Sequence, residues 1–268
     1  PVNTRVYLTD LGTDDSARLI RAARLLQDYG YVAVPHLAAR RFPSWAAFEA
    51  RVRALAGEAG VTEALAVAGS PERQAGPIAA SIELLRSGWF DRLGFTRIGV
   101  AGHPEGSPDI PAEECDRAIR EKNAFAKQSG MELYIATQFC FEAQPIIEWD
   151  RDLRERLGNE LPIHIGIPGL ATIKTLLKHA QQCGIGNSMR VLSRQAANIT
   201  KLMTVREPDK LVRDLAAERS RNPSFGVHQC HLYPLGGLKK SAAWLYAVQD
   251  GKIELERKGG FKTDYAVE

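Results

Sequence analysis

Seven short, nearly continuously apolar runs, each followed by a helical pattern, constrain the fold of this chain more than any other feature. The runs are residues 5–9, 31–36, 64–69, 97–102, 132–139, 162–167 and 227–233. Strands that are covered by helices on both faces have this character, and strand–helix alternation with right-handed crossovers builds a parallel sheet. The chain is therefore predicted to be an α/β protein.

The segments between these runs carry apolar residues at three- and four-residue spacing, as amphipathic helices do. The predicted helices are residues 14–29, 44–59, 78–90, 112–129, 144–157, 173–183, 194–203, 209–219 and 239–249. Ser44 is the expected N-cap of the second helix, because a serine oxygen accepts a hydrogen bond from the first helical turn. Three helices fall between the sixth and seventh runs, which makes that connection longer than the others.

The length of 268 residues fits one (β/α)8 TIM barrel, for which about 250 residues is usual. Seven strands are one fewer than such a barrel needs, and a buried sheet edge without a partner strand is costly. We therefore expect a TIM barrel whose first strand is missing from this sequence. No repeat or linker-like segment interrupts the pattern, so residues 1–268 are predicted to form a single α/β-barrel domain.

Composition and charge exclude several classes of protein. The 35 basic and 32 acidic side chains are spread along the chain without a block, which argues against a nucleic-acid partner. No apolar run approaches the roughly 18 residues that a membrane span needs, and the first residues do not resemble a signal peptide. The four cysteines form no CxxC pair, so we expect free thiols and a cytoplasmic protein.

The last predicted strand contains residue types that bind zinc. His228 and His231 flank Cys230 there. Because alternate residues of a strand point to opposite faces, residues 228 and 230 share one face and residue 231 lies on the other. No further ligands cluster nearby in the sequence, so the chain is predicted to hold no metal ion.

Polar side chains paired with glycine or proline follow nearly every predicted strand. In barrels and open α/β sheets, the carboxyl ends of the strands carry the chemistry. The loop at residues 100–109 offers His103 and Glu105, although this segment taken alone favours an ordinary turn. Gln138 is a sharper candidate, because an amide at the end of an apolar strand is costly to bury without a partner. An amide suits a heterocycle that presents donors and acceptors together.

Three motifs, in order along the chain, carry a family resemblance. They are AGHPEGSP at residues 101–108, TQFCFE at 137–142 and IGIPG at 165–169. Together they resemble the signature loops of the methylenetetrahydrofolate reductase family, over residues 5 to about 250. The resemblance implies an eight-stranded barrel that binds FAD and passes a hydride from a reduced nicotinamide to 5,10-methylenetetrahydrofolate. It also implies that the missing first strand is the one that ends in the family's general acid.

The resemblance also implies roles for individual residues. The residues that match flavin-contacting or flavin-positioning positions of the family are Thr9, His36, Gly69, Ser70, Ala101, His103, Glu105, Ser107, Asp116 and Lys122. Of these, Lys122 matches a basic residue that meets the cofactor's phosphates. Those matching substrate-binding places are Gln138, Phe139, Ile173 and Lys239. Gln138 matches the glutamine that faces the pterin and is the catalytic candidate.

Several positions depart from the family pattern. Ser70 stands where an aspartate tunes the flavin and supports a cationic folate, and a hydroxyl supplies no such charge. Ile173 stands near the place of the aromatic residue that stacks on the nicotinamide. The usual histidine of the first motif is Ser107, with an imidazole shifted to His103, and Lys239 is a substitute for a folate-binding arginine. These changes leave the use of NADH or NADPH open and favour oxidation of 5-methyltetrahydrofolate in one-carbon catabolism.

Two other functions are compatible with parts of this pattern. A non-catalytic barrel that binds folate or flavin, with a regulatory or partner-binding role, fits the loss of the acid and of the stacking ring. A cofactor-free lyase needs a Schiff-base lysine, and no predicted strand ends in one. The leading prediction is therefore an FAD-dependent oxidoreductase that acts on a tetrahydrofolate derivative, with its oligomeric state open and a homo-oligomer included.

Overall fold

Strands and helices alternate along the chain in the computed structural model, which describes residues 2–9, 16–69, 73–107, 110–182, 203, 205–257 and 259–265. The strands are β1 (Arg5–Leu8), β2 (Val32–Ala38), β3 (Glu63–Val67), β4 (Arg97–Gly102), β5 (Glu132–Phe139), β6 (Ile163–Pro168), β7 (Ala171–Thr172), β8 (Val205–Arg206), β9 (Val227–Tyr233), β10 (Ile253–Leu255) and β11 (Phe261–Thr263). The helices are α1 (Ser16–Asp28), α2 (Trp45–Ala59), α3 (Ser81–Arg86), α4 (Trp89–Arg92), α5 (Ala112–Ser129), α6 (Ala143–Leu157), α7 (Ile173–Gln182), α8 (Asp209–Arg221) and α9 (Leu238–Gln249), with a 3-10 turn at Ala39–Arg41.

All seven predicted strands are confirmed. In the described part of the chain they form one seven-stranded sheet in the order β1-β2-β3-β4-β5-β6-β9. The pairs β1–β2, β2–β3, β3–β4 and β6–β9 are parallel. The α/β class is therefore confirmed, with a sheet like that of a partial TIM barrel, while the complete eight-stranded barrel stays a prediction.

The chain divides into two compact units. The first unit contains Pro1–Ala101 and Arg117–Ile135, and the second contains Gly102–Asp116 and Ala136–Glu268. The prediction of a single domain is not tested by this division and stays a prediction. Each unit has a core and a polar network of its own, described in turn below.

Aromatic side chains fill much of the core of the first unit. Phe48 and Phe90 are buried and meet edge to face at 5.8 Å between ring centroids. Phe48 lies on the buried stripe of α2, whose predicted N-cap is confirmed because the Ser44 side chain accepts a hydrogen bond from the amide of Ala47. The sequence predicts one helix over residues 78–90, but the structure has two, because Gly88 adopts a φ of +75° between them.

Charged side chains at the first residues of four strands connect these strands in the first unit. Arg5 of β1 donates two hydrogen bonds to Glu63 of β3, at 2.7 and 2.8 Å. Arg97 of β4 forms an ion pair with Glu132 of β5 at 2.8 Å. Strand-end charges of this kind lie at the face that usually contributes to stability rather than to catalysis. We define these four residues as the amino-end network.

Two tyrosines extend this polar interior. The hydroxyl groups of Tyr7 and Tyr134 are 2.9 Å apart, and burial raises the pKa of both phenols. Gly99 makes the space that Tyr134 occupies, since a Cβ at residue 99 would lie 2.7 Å from the phenol oxygen. The tyrosine pair therefore depends on a glycine in the neighbouring strand β4.

In the second unit, two carboxylates accept hydrogen bonds from residues of different elements. Asp150, fully buried on α6, accepts hydrogen bonds from Arg154 and from the backbone amide of Gly226. Glu207 accepts hydrogen bonds from Trp244 Nε1 and from the Tyr265 hydroxyl. The β10–β11 hairpin and the short antiparallel pair β7–β8 are elements that the sequence pattern does not predict.

Several expectations concern features that the described residues address only in part. The predicted helix over 194–203 falls almost entirely outside the described residues, as does Cys183. Cys115, Cys140 and Cys230 are free thiols, as expected, with Cys140 buried and Cys230 exposed. In the described part of the chain, no three His, Cys, Asp or Glu side chains group as metal ligands, and no helix is long and apolar enough to cross a membrane.

Candidate functional site

In the first unit, the structure brings together two of the predicted cofactor residues. Lys122 on α5 is 4% exposed, and its Nζ donates a hydrogen bond of 3.2 Å to the carbonyl oxygen of Ala101, near the carboxyl end of β4. A charged ammonium group is rarely buried unless its protons are hydrogen-bonded. The fold therefore holds a positive charge at the carboxyl end of β4.

His36 lies towards the carboxyl end of β2 and contacts the tyrosine pair of the same unit. Its ring meets Tyr7 edge to face, with 6.1 Å between centroids and an interplanar angle of 76°. Thr9, directly after β1, is exposed. The His36 side chain is therefore half-buried against Tyr7, and Thr9 lies at the surface. The predicted contacts of both residues with a cofactor stay predictions.

Arg40 forms hydrogen bonds to the loop that follows β3, and the sequence analysis did not identify it as a candidate site residue. Its Nε donates a 2.9 Å hydrogen bond to the carbonyl oxygen of Ala79, and its backbone bonds Ala68 and Ala75. Gly69, at the start of this loop, adopts a φ of +77°, a conformation that favours glycine. Ser70 lies outside the described residues. The only sequence signal for Arg40 is its place just after a strand.

In the second unit, the loop after β4 approaches the end of β5. A turn closes from the amide of Gly106 to the carbonyl oxygen of His103 at 3.1 Å, with Gly106 at a φ of +78°. Burial, and next the neighbouring Glu105 carboxylate, raise the pKa of the Cys140 thiol. Glu105 and Cys140 are therefore in contact, and Ser107 is half-buried in the same loop.

Asp116 forms an ion pair that the sequence did not predict. Both of its carboxylate oxygens accept hydrogen bonds from Arg156, near the end of α6. Arg156 also bonds Asp152, and this hydrogen bond lowers the pKa of Asp152. Asp116 therefore connects α5 to α6, and its predicted contact with a flavin stays a prediction.

A side-chain hydroxyl stands within the hydrogen-bond ladder between β5 and β6. The amide of Gly166 donates to Thr137 Oγ1 at 2.9 Å, and Thr137 Oγ1 donates to the carbonyl oxygen of Gln138 at 2.8 Å. The backbone ladder resumes with the amide of Cys140 and the carbonyl oxygen of Gly166 at 3.0 Å. A Cβ at residue 166 would lie 2.5 Å from the Gln138 carbonyl oxygen, so the strands pass too closely there for any side chain.

The Gln138 side chain is oriented by its own strand. Its Oε1 accepts a 3.2 Å hydrogen bond from the amide of Phe139, and only the oxygen of the carboxamide accepts such a bond. The Nε2 group therefore points away from that backbone amide. Gln138 is half-buried, whereas Thr137 and Phe139 on either side are almost fully buried. The arrangement presents an NH₂ donor at the carboxyl end of β5.

The other predicted substrate residues occupy different environments. Phe139 and Ile173 are 1% and 0% exposed and pack in one cluster with Leu176 and Ala180. Lys239 is exposed in the first turn of α9. The structure thus places the Ile173 side chain in the core and leaves Lys239 accessible, while the contact of each with a substrate stays a prediction.

In comparisons with known proteins, no family model matches the chain. A stretch of 134 residues is 28% identical to methylenetetrahydrofolate reductase 2 of Saccharomyces cerevisiae and covers 50% of this chain. This similarity supports the relationship to the methylenetetrahydrofolate reductases that the three motifs indicate. The match spans only 20% of the yeast protein.

Similar solved structures are more distant. An uncharacterized protein from Clostridium thermocellum that binds two copies of 5-methyl-5,6,7,8-tetrahydrofolic acid is 12% identical, with a TM-score of 0.49 over 85% of this chain and 75% of that one. A D-hydantoinase from Bacillus sp. AR9 is 13% identical, with a TM-score of 0.38 over 92% and 58%. Both TM-scores are too low to establish a shared fold.

The loop after β9 contains two glycines that its backbone conformation requires. A Cβ at Gly236 would overlap the carbonyl oxygen of Leu170, and Gly237 has a φ of +122°. Neither position therefore accepts a larger side chain in this conformation. Lys239 lies two residues after Gly237, at the start of α9.

Proposed function

We propose that this chain is an FAD-dependent oxidoreductase that interconverts 5,10-methylenetetrahydrofolate and 5-methyltetrahydrofolate, adapted to the oxidative direction in one-carbon catabolism in the cytoplasm. Its relation to the methylenetetrahydrofolate reductases supports the reaction class. The geometry of Gln138 carries the proposal, because it presents an oriented donor at a strand end.

The Gln138 carboxamide suits the pterin ring of a folate. A pterin presents a carbonyl oxygen and ring nitrogens that accept hydrogen bonds, and the Nε2 group of Gln138 is the donor that its orientation leaves directed away from the strand. The amide carries no charge, so it orients the ring without opposing a positive charge on the reacting carbon. Lys239, exposed at the start of α9, would meet the carboxylate end of such a ligand.

The donor set of the first unit suits a phosphate-bearing cofactor. Lys122 places a buried ammonium group at the carbonyl oxygen of Ala101, and lysine is a common partner of phosphate groups. His36 and Gly69 lie at the carboxyl-end parts of β2 and β3 and would contact FAD as the resemblance implies. FAD, when bound, would supply the hydride-accepting chemistry, while the protein orients the folate.

The oxidative direction rests on what the chain lacks. Oxidation removes a hydride from the N5-methyl group and a proton from N10 as the methylene bridge closes. Ser70 stands where the family pattern has an acid, and without that negative charge the electrostatic support for a cationic folate is weakened in both directions, so the direction rests on the nicotinamide platform. Ile173 offers a buried alkyl chain where the family stacks a nicotinamide. We therefore propose an electron acceptor other than a nicotinamide.

Anaerobic titration of the purified protein, loaded with FAD, tests this proposal. The visible flavin absorbance should be bleached by 5-methyltetrahydrofolate and only slowly by NADH or NADPH. Reduction by NADH at a rate competent for turnover would overturn the oxidative direction. Folate binding without any bleaching would instead favour a non-catalytic folate-binding barrel, and a protein that binds neither flavin nor folate would overturn the proposal as a whole.

A further inference from the structure

The Thr137–Gln138 segment is held from a third strand in addition to its neighbour β6. Tyr233 is the last residue of β9, and its hydroxyl donates a 2.9 Å hydrogen bond to the carbonyl oxygen of Thr137. Gly166 of β6 and Tyr233 of β9 thus bond the two polar groups of the same threonine, its hydroxyl and its carbonyl. Tyr233 is thus hydrogen-bonded directly to the residue before Gln138, although the two bonded residues are 96 positions apart in the sequence.

The Tyr233 ring is itself fixed. It stacks on His231, with 4.6 Å between centroids and an interplanar angle of 21°. It also meets Phe139 edge to face, with 5.4 Å between centroids. Tyr233 therefore contacts β5 on both sides of Gln138, because its ring packs on Phe139 and its hydroxyl bonds Thr137.

The backbone on which the Gln138 side chain is mounted is therefore constrained at three successive polar groups. The Thr137 carbonyl is bonded by Tyr233, and the Gln138 carbonyl accepts the Thr137 hydroxyl and lies 3.6 Å from Cys140 Sγ. The amide of Phe139 is taken by Gln138 Oε1. A side chain held this way stays within the narrow range of positions that a productive ligand contact needs.

We propose that Tyr233 is a positioning residue, whose hydroxyl sets the backbone at Thr137 and so directs the Gln138 amide at its ligand. This inference rests on the proposed function, since it takes Gln138 to be the folate-binding amide. Tyr233 acts through the carbonyl of Thr137 and does not itself touch the reacting carbon. Its ring keeps the strand ends packed, and its hydroxyl supplies the positioning.

Binding of 5-methyltetrahydrofolate to hydroxyl-deletion variants separates these two parts. Tyr233→Phe keeps the ring and removes the hydrogen bond to Thr137. Tyr265→Phe is the matched control, because it removes a 3.0 Å hydrogen bond to Glu207 in the same unit. Dissociation constants would be measured by anaerobic calorimetric titration, and Tm by thermal unfolding of the same samples.

We expect Tyr233→Phe to weaken 5-methyltetrahydrofolate binding by about fivefold or more, the effect of losing roughly one neutral hydrogen bond. Tyr265→Phe should bind like the wild type, with a similar change in Tm. A second pair tests the other hydrogen bond to the same residue, since Thr137→Val removes the hydroxyl that accepts from the amide of Gly166 and Thr137→Ser restores it. Thr137→Ser should regain most of the affinity that Thr137→Val loses.

The outcomes separate this inference from the function on which it rests. Equal affinity of Tyr233→Phe and Tyr265→Phe, with folate binding by the wild type intact, would overturn the positioning role and leave the proposed function standing. Failure of the wild type to bind 5-methyltetrahydrofolate would overturn the proposed function first. Should Tyr233→Phe not fold, 4-aminophenylalanine and 4-fluorophenylalanine incorporated at residue 233, which keep and remove the hydrogen-bond donor on the same ring, decide the question in the same assay.

Discussion

In the first unit, ion pairs at the amino ends of the strands bond one strand to another, whereas in the second unit neutral hydroxyl groups bond strands at their carboxyl ends. Arg5 and Glu63 represent the first kind, and Thr137 and Tyr233 represent the second. Charged pairs that are partly buried contribute to stability only when both partners are present. Neutral hydroxyls fix a backbone without placing a charge beside the ligand. The contrast indicates that stability and ligand positioning depend on different residues.

The largest effect is expected where strands β5 and β6 of the second unit pass each other closely. Gly166→Ala would bring a Cβ to 2.5 Å from the Gln138 carbonyl oxygen, and backbone atoms cannot move aside as side chains do. We expect a loss of about 3 kcal/mol in the free energy of unfolding, together with loss of folate binding. Urea unfolding and folate titration would measure the two effects.

Gly99→Ala is the matched change in the first unit. Its Cβ would meet the ends of the Tyr134 and Leu65 side chains at 2.7 and 2.8 Å, which can shift. A smaller loss of stability, with folate affinity retained in the protein that remains folded, is expected. If both alanine variants lost binding equally, the division between the two units would be wrong.

The amino-end network should affect stability alone. Glu63→Gln leaves the Arg5 guanidinium without its carboxylate, and the Glu63 side chain is only 9% exposed. We expect a loss of about 2 kcal/mol in the free energy of unfolding, below the 3–5 kcal/mol seen for fully buried pairs, because Arg5 is partly solvated. Glu49→Gln, in an exposed helical ion pair with Arg53, is the control and should cost about 0.5 kcal/mol or less. A change in folate affinity for Glu63→Gln would contradict the comparison.

Gln138 should show the opposite pattern. Gln138→Ala removes the oriented donor and should weaken folate binding by about tenfold, which corresponds to roughly 1.4 kcal/mol. Its free energy of unfolding should change little, because the side chain is half-buried and bonds only its own strand. Gln144→Ala, on the exposed face of α6, is the matched control for calorimetric titration.

The smallest effect concerns alkaline pH. Burial, followed by the Glu207 carboxylate, raises the pKa of Tyr265 to about 12 from an unperturbed 10.0. Because the folded protein retains this proton while the unfolded chain loses it, the contribution of Tyr265 is complete below pH 10 and falls as the pH rises through about 12. Unfolding of Tyr265→Phe should therefore depend less steeply on pH in this range than unfolding of the wild type. Identical slopes would contradict the assignment.

The sequence predicted what depends on local pattern. Strands β2 to β6 were visible as apolar runs because most of their residues are buried, and Gln138 was conspicuous as an amide at the end of such a run. Strands β1 and β9 were visible from composition alone, since β1 is only half-buried and β9 has three consecutive exposed residues. The bond from Tyr233 to Thr137 was not predictable, because it depends on which strands are neighbours in the sheet. The same holds for Asp116 and Arg156, which are 40 residues apart. Their pairing requires the register of two helices, which hydrophobic periodicity does not specify.

Gly88 and the carboxy-terminal hairpin show a second kind of feature that the sequence pattern does not predict. A single glycine within a helical pattern is compatible with a continuous helix, and only its observed φ of +75° shows that the helix ends there. The β10–β11 strands are three residues each, too short for an alternating pattern to be recognised.

The hydrogen bond between Tyr233 and Thr137 has a consequence for how the protein is made. A ribosome produces Thr137 96 residues before Tyr233, so the emerging chain carries Thr137 and the adjacent Gln138 long before the bonding partner on β9 exists. The bond forms only after β9 has been synthesised and has paired with β6. A chain interrupted before that point lacks the contact, so this long-range bond is completed late in biosynthesis.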